Sequence, residues 1–139
     1  MKSGFVADAS LGVAWAVPAQ SSKAAEDLLD EVASGTPFVT PVLWAFEVAN
    51  ALVVLARRKR IQTEQAARAL RSLGRLTPTL DEEGARLAFG RIASLAAEYE
   101  LSVYDAAYLE LALRRRLPLA SCDAALNKAA KLAGVKTLL

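Results

Sequence analysis

Short apolar runs that read as strands alternate with runs of helical period along the chain, and this alternation limits the fold to a narrow class. Residues 4–7 read as a first buried strand, and a helical segment follows Asp8 and stops near Pro18. Ala25, Leu28, Leu29 and Val32 recur at helical spacing, with Gly35 as a C-terminal stop. Residues 38–40 form a second strand between Pro37 and Pro41. Residues 43–58 form a long helix, apolar on most faces and therefore expected to be well buried. Thr63 is a good N-cap for a helix carrying Ala66, Ala67, Leu70 and Leu73. A third strand fits residues 76–80, where Pro78 restricts it to a sheet edge. Asp81, Glu82 and Glu83 read as the acidic first turn of a helix to about Tyr99. Ser102 opens another helix, ending near Arg114, Arg115 and Arg116. Residues 119–121, 124–132 and 135–138 then read as strand, helix and fifth strand. Such an order gives an α/β fold, a parallel sheet covered by helices on both faces. Its 139 residues suit one domain, 1–139, without repeats or linkers.

Four acids stand where apolar runs stop or are interrupted: Asp8, Glu47, Asp105 and Asp123. Asp8 and Asp123 both fall just past a strand's carboxyl end, the end of a parallel sheet where ligands bind. Each acid has a plainer explanation. Asp8 and Asp123 can cap the helices that follow them, and Ser102-Val-Tyr-Asp105 matches a capping box. Glu47 shares its helix face with Leu43, Trp44, Asn50 and Ala51, so it is either hydrogen-bonded to Asn50 or a metal ligand with Asn50 orienting it. Brought together, the four would leave an excess of negative charge that calls for a cation. That is the outline of a metal-dependent hydrolase of phosphate esters.

Composition removes most alternatives. The chain has no histidine, which excludes Ser-His-Asp and Cys-His catalysis and the usual imidazole ligands. Its single cysteine, Cys122, excludes an intrachain disulfide and a CxxC zinc site, and is compatible with a cytoplasmic location. We read Cys122 as a small buried side chain. The apolar stretch after Lys2 contains Asp8, which argues against a signal peptide. The longest apolar run, residues 42–56, is too short for a bilayer and contains Glu47 and Asn50, so no membrane is expected. A formal net charge of +2 permits nucleic-acid binding without requiring it. Aspartate-nucleophile phosphatases need a second Asp where this chain has Ser10. Receiver-type domains need paired acids before their first helix, and the pairing is absent. A binding module without catalysis would be favoured by a missing acid, and none is missing.

The segments VADAS, FEVANAL, LSVYDAAYLELA and PLASCDAAL, in this order and across essentially the whole chain, resemble the PIN-domain family, and most closely VapC-type toxin ribonucleases of bacterial toxin–antitoxin pairs. The resemblance implies a three-layer α/β/α sandwich whose five-stranded parallel sheet has the order 3-2-1-4-5. It places Asp8, Glu47, Asp105 and Asp123 at the family's acidic metal-binding positions, with Ser10 and Asn50 around them. Ser121 stands where the family usually has Thr and keeps the hydroxyl. The resemblance also implies a small antitoxin protein that blocks the site, and a homodimer.

Carboxylate ligands suit one or two Mg²⁺ or Mn²⁺ ions rather than zinc. Without histidine, the nucleophile is water activated by the cation, and RNA cut in this way carries a 5′-phosphate and a 3′-hydroxyl. Arg57, Arg58, Lys59 and Arg60 end the helix of Glu47 and either grip RNA phosphates or complement the helix dipole. Arg114, Arg115 and Arg116 end the helix that begins at the acids and are expected to point away, complementing its dipole.

Overall fold

The computed structural model describes residues 3–139, so Lys2 lies outside it. Strands β1 (Phe5–Ala7), β2 (Phe38–Pro41), β3 (Thr79–Asp81) and β4 (Leu119–Ala120) form one parallel sheet in the order β3-β2-β1-β4. Every residue of β1 and β2 is buried, so both sheet faces are covered, as parallel sheets require. β3 is the edge strand and begins immediately after Pro78, which cannot donate to the ladder.

The fifth strand expected at residues 135–138 is reduced to a single parallel bridge, Leu119↔Thr137. The Leu119 N–H donates to the Lys136 carbonyl at 2.9 Å, and the Leu119 carbonyl accepts the Leu138 N–H at 3.0 Å. β4 supplies only two residues before the chain turns towards Asp123, so no longer ladder can form beside it. The sheet is therefore four-stranded.

Helices α1 (Ala9–Ala16), α2 (Lys23–Ala33), α3 (Leu43–Arg57) and α4 (Thr63–Leu73) follow the first two strands. Gln62, not Thr63, holds the N-cap position of α4. Phe5 and Phe38 on adjacent strands stack, and Trp15 of α1 and Trp44 of α3 meet Phe38 edge-on at 5.3 and 5.7 Å between centroids. α1 and α3 approach closely because residue 12 is glycine. A Cβ there would stand 2.7 Å from a Val48 methyl and 3.0 Å from the Trp44 ring. α3 is less buried than its composition suggests. Trp44, Val48 and Leu52 form its buried stripe, while Phe46 is 74% exposed and Val53 41%.

The acidic first turn expected at residues 81–83 is divided between elements. Asp81 ends β3, and the helix starts at Gly84 as α5 (Gly84–Leu87), a π-helical turn (Ala88–Ile92) and α6 (Ala93–Tyr99). α7 (Val103–Arg115) packs on β1 and β2, and α8 (Ala124–Leu132) packs on α7. Gly134 takes φ +85 after α8 and lets the Val135 N–H return to the Ala130 carbonyl at 2.8 Å.

Arg114 does more than complement the α7 dipole. Its guanidinium grips both Asp81 oxygens at 2.8 Å and also bonds Glu110, two carboxylates only 2% and 3% exposed. Arg115 adds a contact to Asp81 at 3.5 Å. The Arg114 hydrogen bonds hold the Asp81 carboxyl below the ordinary range, against the opposing effect of burial. The ionised carboxylate therefore stabilises the fold at any pH above its unfolded pKa of about 4, and that contribution fades as pH falls through the lowered value. Arg114→Leu leaves two buried carboxylates short of their partner and is expected to cost about 3 kcal/mol at pH 7. Urea denaturation should read that loss, and the gap to wild type should narrow below about pH 4. An unchanged midpoint at pH 7 would remove the structural role of this network.

Candidate active site

Asp8 follows β1 and is 4% exposed, so its charge needs donors. Three supply it. The Ser10 hydroxyl donates to Oδ1 at 2.7 Å, the Leu11 N–H to Oδ1 at 3.1 Å, and the Ser121 hydroxyl to Oδ2 at 2.6 Å. Asp8 thus caps α1 and also faces the loop after β4. That loop is fixed in turn. Ser121 accepts the Asp123 N–H at 2.9 Å, Ser10 accepts the Cys122 N–H at 2.8 Å, and the Asn127 amide donates to the Ser121 carbonyl at 2.8 Å. The Trp44 indole donates to the Asp8 carbonyl at 2.9 Å and ties α3 to the same point.

The other acids arrive on helices. Asp123 is half-buried and caps α8, accepting the Ala125 N–H at 3.0 Å. Asp105 is half-buried in the first turn of α7, where its N–H donates to the Ser102 hydroxyl at 3.1 Å. Glu47 is half-buried on α3, and its partner is Tyr108 rather than Asn50: the Tyr108 hydroxyl donates to Oε1 at 2.6 Å. Asn50 is exposed and makes no hydrogen bond to Glu47 among the described residues. Cys122 is exposed, not buried, because its neighbours Ser121 and Asp123 turn inward and leave it on the loop surface.

Electrostatics binds these acids into one group. Burial raises the Asp8 carboxyl above its ordinary range, opposed by its three donors, and the Asp105 charge raises it further. Burial likewise raises Glu47 against the Tyr108 bond, with added repulsion from Asp105 and Asp8. Asp105 is raised by burial and then by Asp123. Asp105 is therefore the link between Asp8 and Glu47 on one side and Asp123 on the other. None of the four is ion-paired with lysine or arginine among the described residues.

This donor set, all carboxylate and hydroxyl oxygen with unbalanced negative charge, fits a hard divalent cation in its chemistry. It is not a preassembled cage: among the described residues no three acid or thiol side chains stand close enough to hold an ion as placed. Arg57, Arg58, Lys59 and Arg60 are exposed and lie outside the acid group, Arg57 as the last residue of α3 and the other three just past it.

Sequence reasoning did not find Tyr108, although it stands one turn from Asp105 on the same helix face. Asn127 was also missed, and its spacing four residues after Asp123 was the only available signal.

Because their raised values disfavour the ionised form in the folded chain, the acids oppose folding as pH rises through them. Asp105→Asn is therefore expected to raise the unfolding temperature of the metal-free chain at pH 7, read by circular dichroism; a fall would contradict the repulsion. Tyr108→Phe removes a hydrogen bond to a charged group and is expected to destabilise by about 2 kcal/mol, read by urea unfolding. In the Glu47→Leu background the same change should cost less; an equal cost would mean that the hydroxyl acts elsewhere.

The chain matches the family model described as PIN domain over residues 5–132. Its backbone is similar to the crystal structure of PAE2754 from Pyrobaculum aerophilum, with a TM-score of 0.70 and 23% sequence identity. That similarity covers 97% of this chain and 83% of the other, and at such identity it speaks for the fold alone. No curated protein matches the chain in sequence. Among the described residues no helix is long and apolar enough to cross a membrane. The match over nearly the whole chain, joined to the parallel sheet, establishes that this chain belongs to the PIN-domain family, whose members are in general nucleases.

Proposed function

We propose that the chain is a metal-dependent endoribonuclease of the VapC type, the toxin of a toxin–antitoxin pair. One observation carries the reading: at the carboxyl end of the sheet, burial raises the carboxyls of Asp8, Glu47 and Asp105, neighbouring acids, Asp123 included, raise them further, and among the described residues no cation balances them. Elsewhere in the fold, buried acids do have such a partner, in Arg114.

In this reading Asp8, Asp105 and Asp123 hold one or two Mg²⁺ or Mn²⁺ ions, with Glu47 beside them. When bound, such an ion supplies Lewis acidity and lowers the pKa of water at neutral pH. The chain's own residues do the placing. Ser10 and Ser121 fix the Asp8 oxygens, and Ser121 also holds the Asp123 backbone. Tyr108 leaves Glu47 with one bonded oxygen and a fixed direction. No histidine is present to act as base, and Glu47, beside the ions rather than among their holders, is the group suited to take or release a proton.

An antitoxin protein that covers the acids, and a second copy of the chain, belong to the same reading. Val42, Phe46, Val103 and Tyr104 are exposed apolar residues around a groove of about 410 Å³, and they support a protein partner.

Incubating the purified chain with RNA and Mn²⁺ or Mg²⁺ tests the proposal. Cleavage should stop with EDTA, fall more than about 100-fold in Asp8→Asn, and leave 5′-phosphate and 3′-hydroxyl ends. A 2′,3′-cyclic phosphate would indicate attack by the RNA's own hydroxyl and defeat the reading. RNA binding without cleavage would indicate a module that has lost catalysis.

A further inference from the structure

Two grooves of opposite character lie against the helix that carries Glu47. One contains Ser10, Asn50, Ala51, Val54, Leu55 and Cys122, with a volume of about 520 Å³. The other is the apolar groove of Phe46 and Tyr104, where Asp81 and Glu82 supply acidic groups. Resting on the ribonuclease reading, we propose that the RNA strand leaves the acids along the first groove, and that Arg57 and Arg58 at its far end grip the strand's phosphates.

The helix geometry makes the path continuous. Glu47, Ala51, Val54 and Arg58 follow one another at spacings of four, three and four, which places them on one stripe of α3. Asn50 and Arg57 flank that stripe. Ser10 and Cys122 close the groove at the acid end, where the Cys122 N–H already bonds Ser10. From Glu47 to Arg58 the rise is about 16 Å, at ~1.5 Å per residue. At ~3.4 Å per stacked nucleotide, about five nucleotides span it.

Charge selects this groove over the other. A nucleic-acid strand carries one negative charge per nucleotide and is attracted to the end that offers unpaired cations. Arg57, Arg58, Lys59 and Arg60 are all exposed, and among the described residues none is ion-paired. The α3 dipole favours a cation in its last turn, but the run continues for three residues past the last helical one, and Lys59 takes a left-handed φ of 58 to continue it. The apolar groove offers no such cation, since its Asp81 is already matched to Arg114. The first groove presents hydroxyl, amide and thiol groups beside aliphatic side chains, a lining suited to ribose and base rather than to a greasy helix.

The test is fluorescence anisotropy of a short labelled single-stranded RNA, with Asp8→Asn, or wild type in EDTA, keeping the strand intact. Arg57→Glu with Arg58→Glu should weaken binding more than about 10-fold and make the slope of log K against log salt shallower by about 1.4, two contacts at ~0.7 each. The same charge reversal on α4, Arg68→Glu with Arg71→Glu, should change affinity less than about 3-fold. In the active chain the first pair should raise KM and leave kcat in place. Equal losses from both pairs would mean diffuse attraction and overturn the path. So would a loss produced instead by Phe46→Glu with Tyr104→Glu, which would route RNA through the apolar groove. Binding that responds to Arg57 and Arg58 in a chain that cuts no RNA would sink the nuclease reading and leave the path standing. Cleavage indifferent to both arginines would do the reverse.

Discussion

The rest of the structure depends on a buried carboxylate that has to be satisfied. Asp8 stands at the end of the central strand, almost without solvent, and an unsolvated carboxylate costs several kcal/mol unless donors replace the water. Its donors come from separate parts of the chain: Ser10 and Leu11 from the start of α1, and Ser121 from the loop after β4. Satisfying one residue therefore fixes the first helix to the first strand. It also fixes the loop after β4 to both. The same Ser121 receives the Asp123 N–H, so the second acid's backbone is set by the first acid's hydrogen bond.

Two groups of buried or half-buried acids lie in this small fold, and the chain treats them in opposite ways. Asp81 and Glu110 are matched by Arg114, and the Asp81 pKa falls. Asp8, Glu47 and Asp105 have hydroxyl partners but, among the described residues, no cation, and their pKa values rise. The two outcomes share the desolvation penalty and differ in the sign of the neighbouring charge. A fold able to pair one acid group so completely leaves the other with only neutral donors. Unbalanced charge of this kind is how functional sites are recognised physically.

Much of this was legible in the sequence, for reasons that differ by element. The strands of the sheet's middle were readable because they are short, mostly apolar and ended by proline or an acid, as in residues 38–41. The fifth strand was not, since whether residues 135–138 form a ladder depends on the length of β4, which only packing decides. The depth of α3 was misjudged because apolar content does not say which faces meet the core; Phe46 and Val53 are as apolar as Val48 and lie in solvent. Capping and clustering were weighed as rivals for Asp8 and Asp123, yet each carboxylate caps its helix from a place in the acid group. Arg114 was assigned to a helix dipole because its partner Asp81 lies 33 residues away in sequence, beyond any local pattern.

α3 joins these themes. Its buried stripe of Trp44, Val48 and Leu52 is locked to α1 by the contact that only glycine permits at residue 12. Trp44 binds the backbone of Asp8, and Glu47, three residues later on an adjoining face, reaches Tyr108 on α7. The helix is thus held at the first turn by the central strand and at the second by the helix of Asp105. Rigid over four turns, it carries that placement to Arg57 and the basic run beyond. Movement of α3 against α1 would shift Glu47 and the basic run together, so the spacing from acids to arginines is a property of one helix rather than of loop conformation.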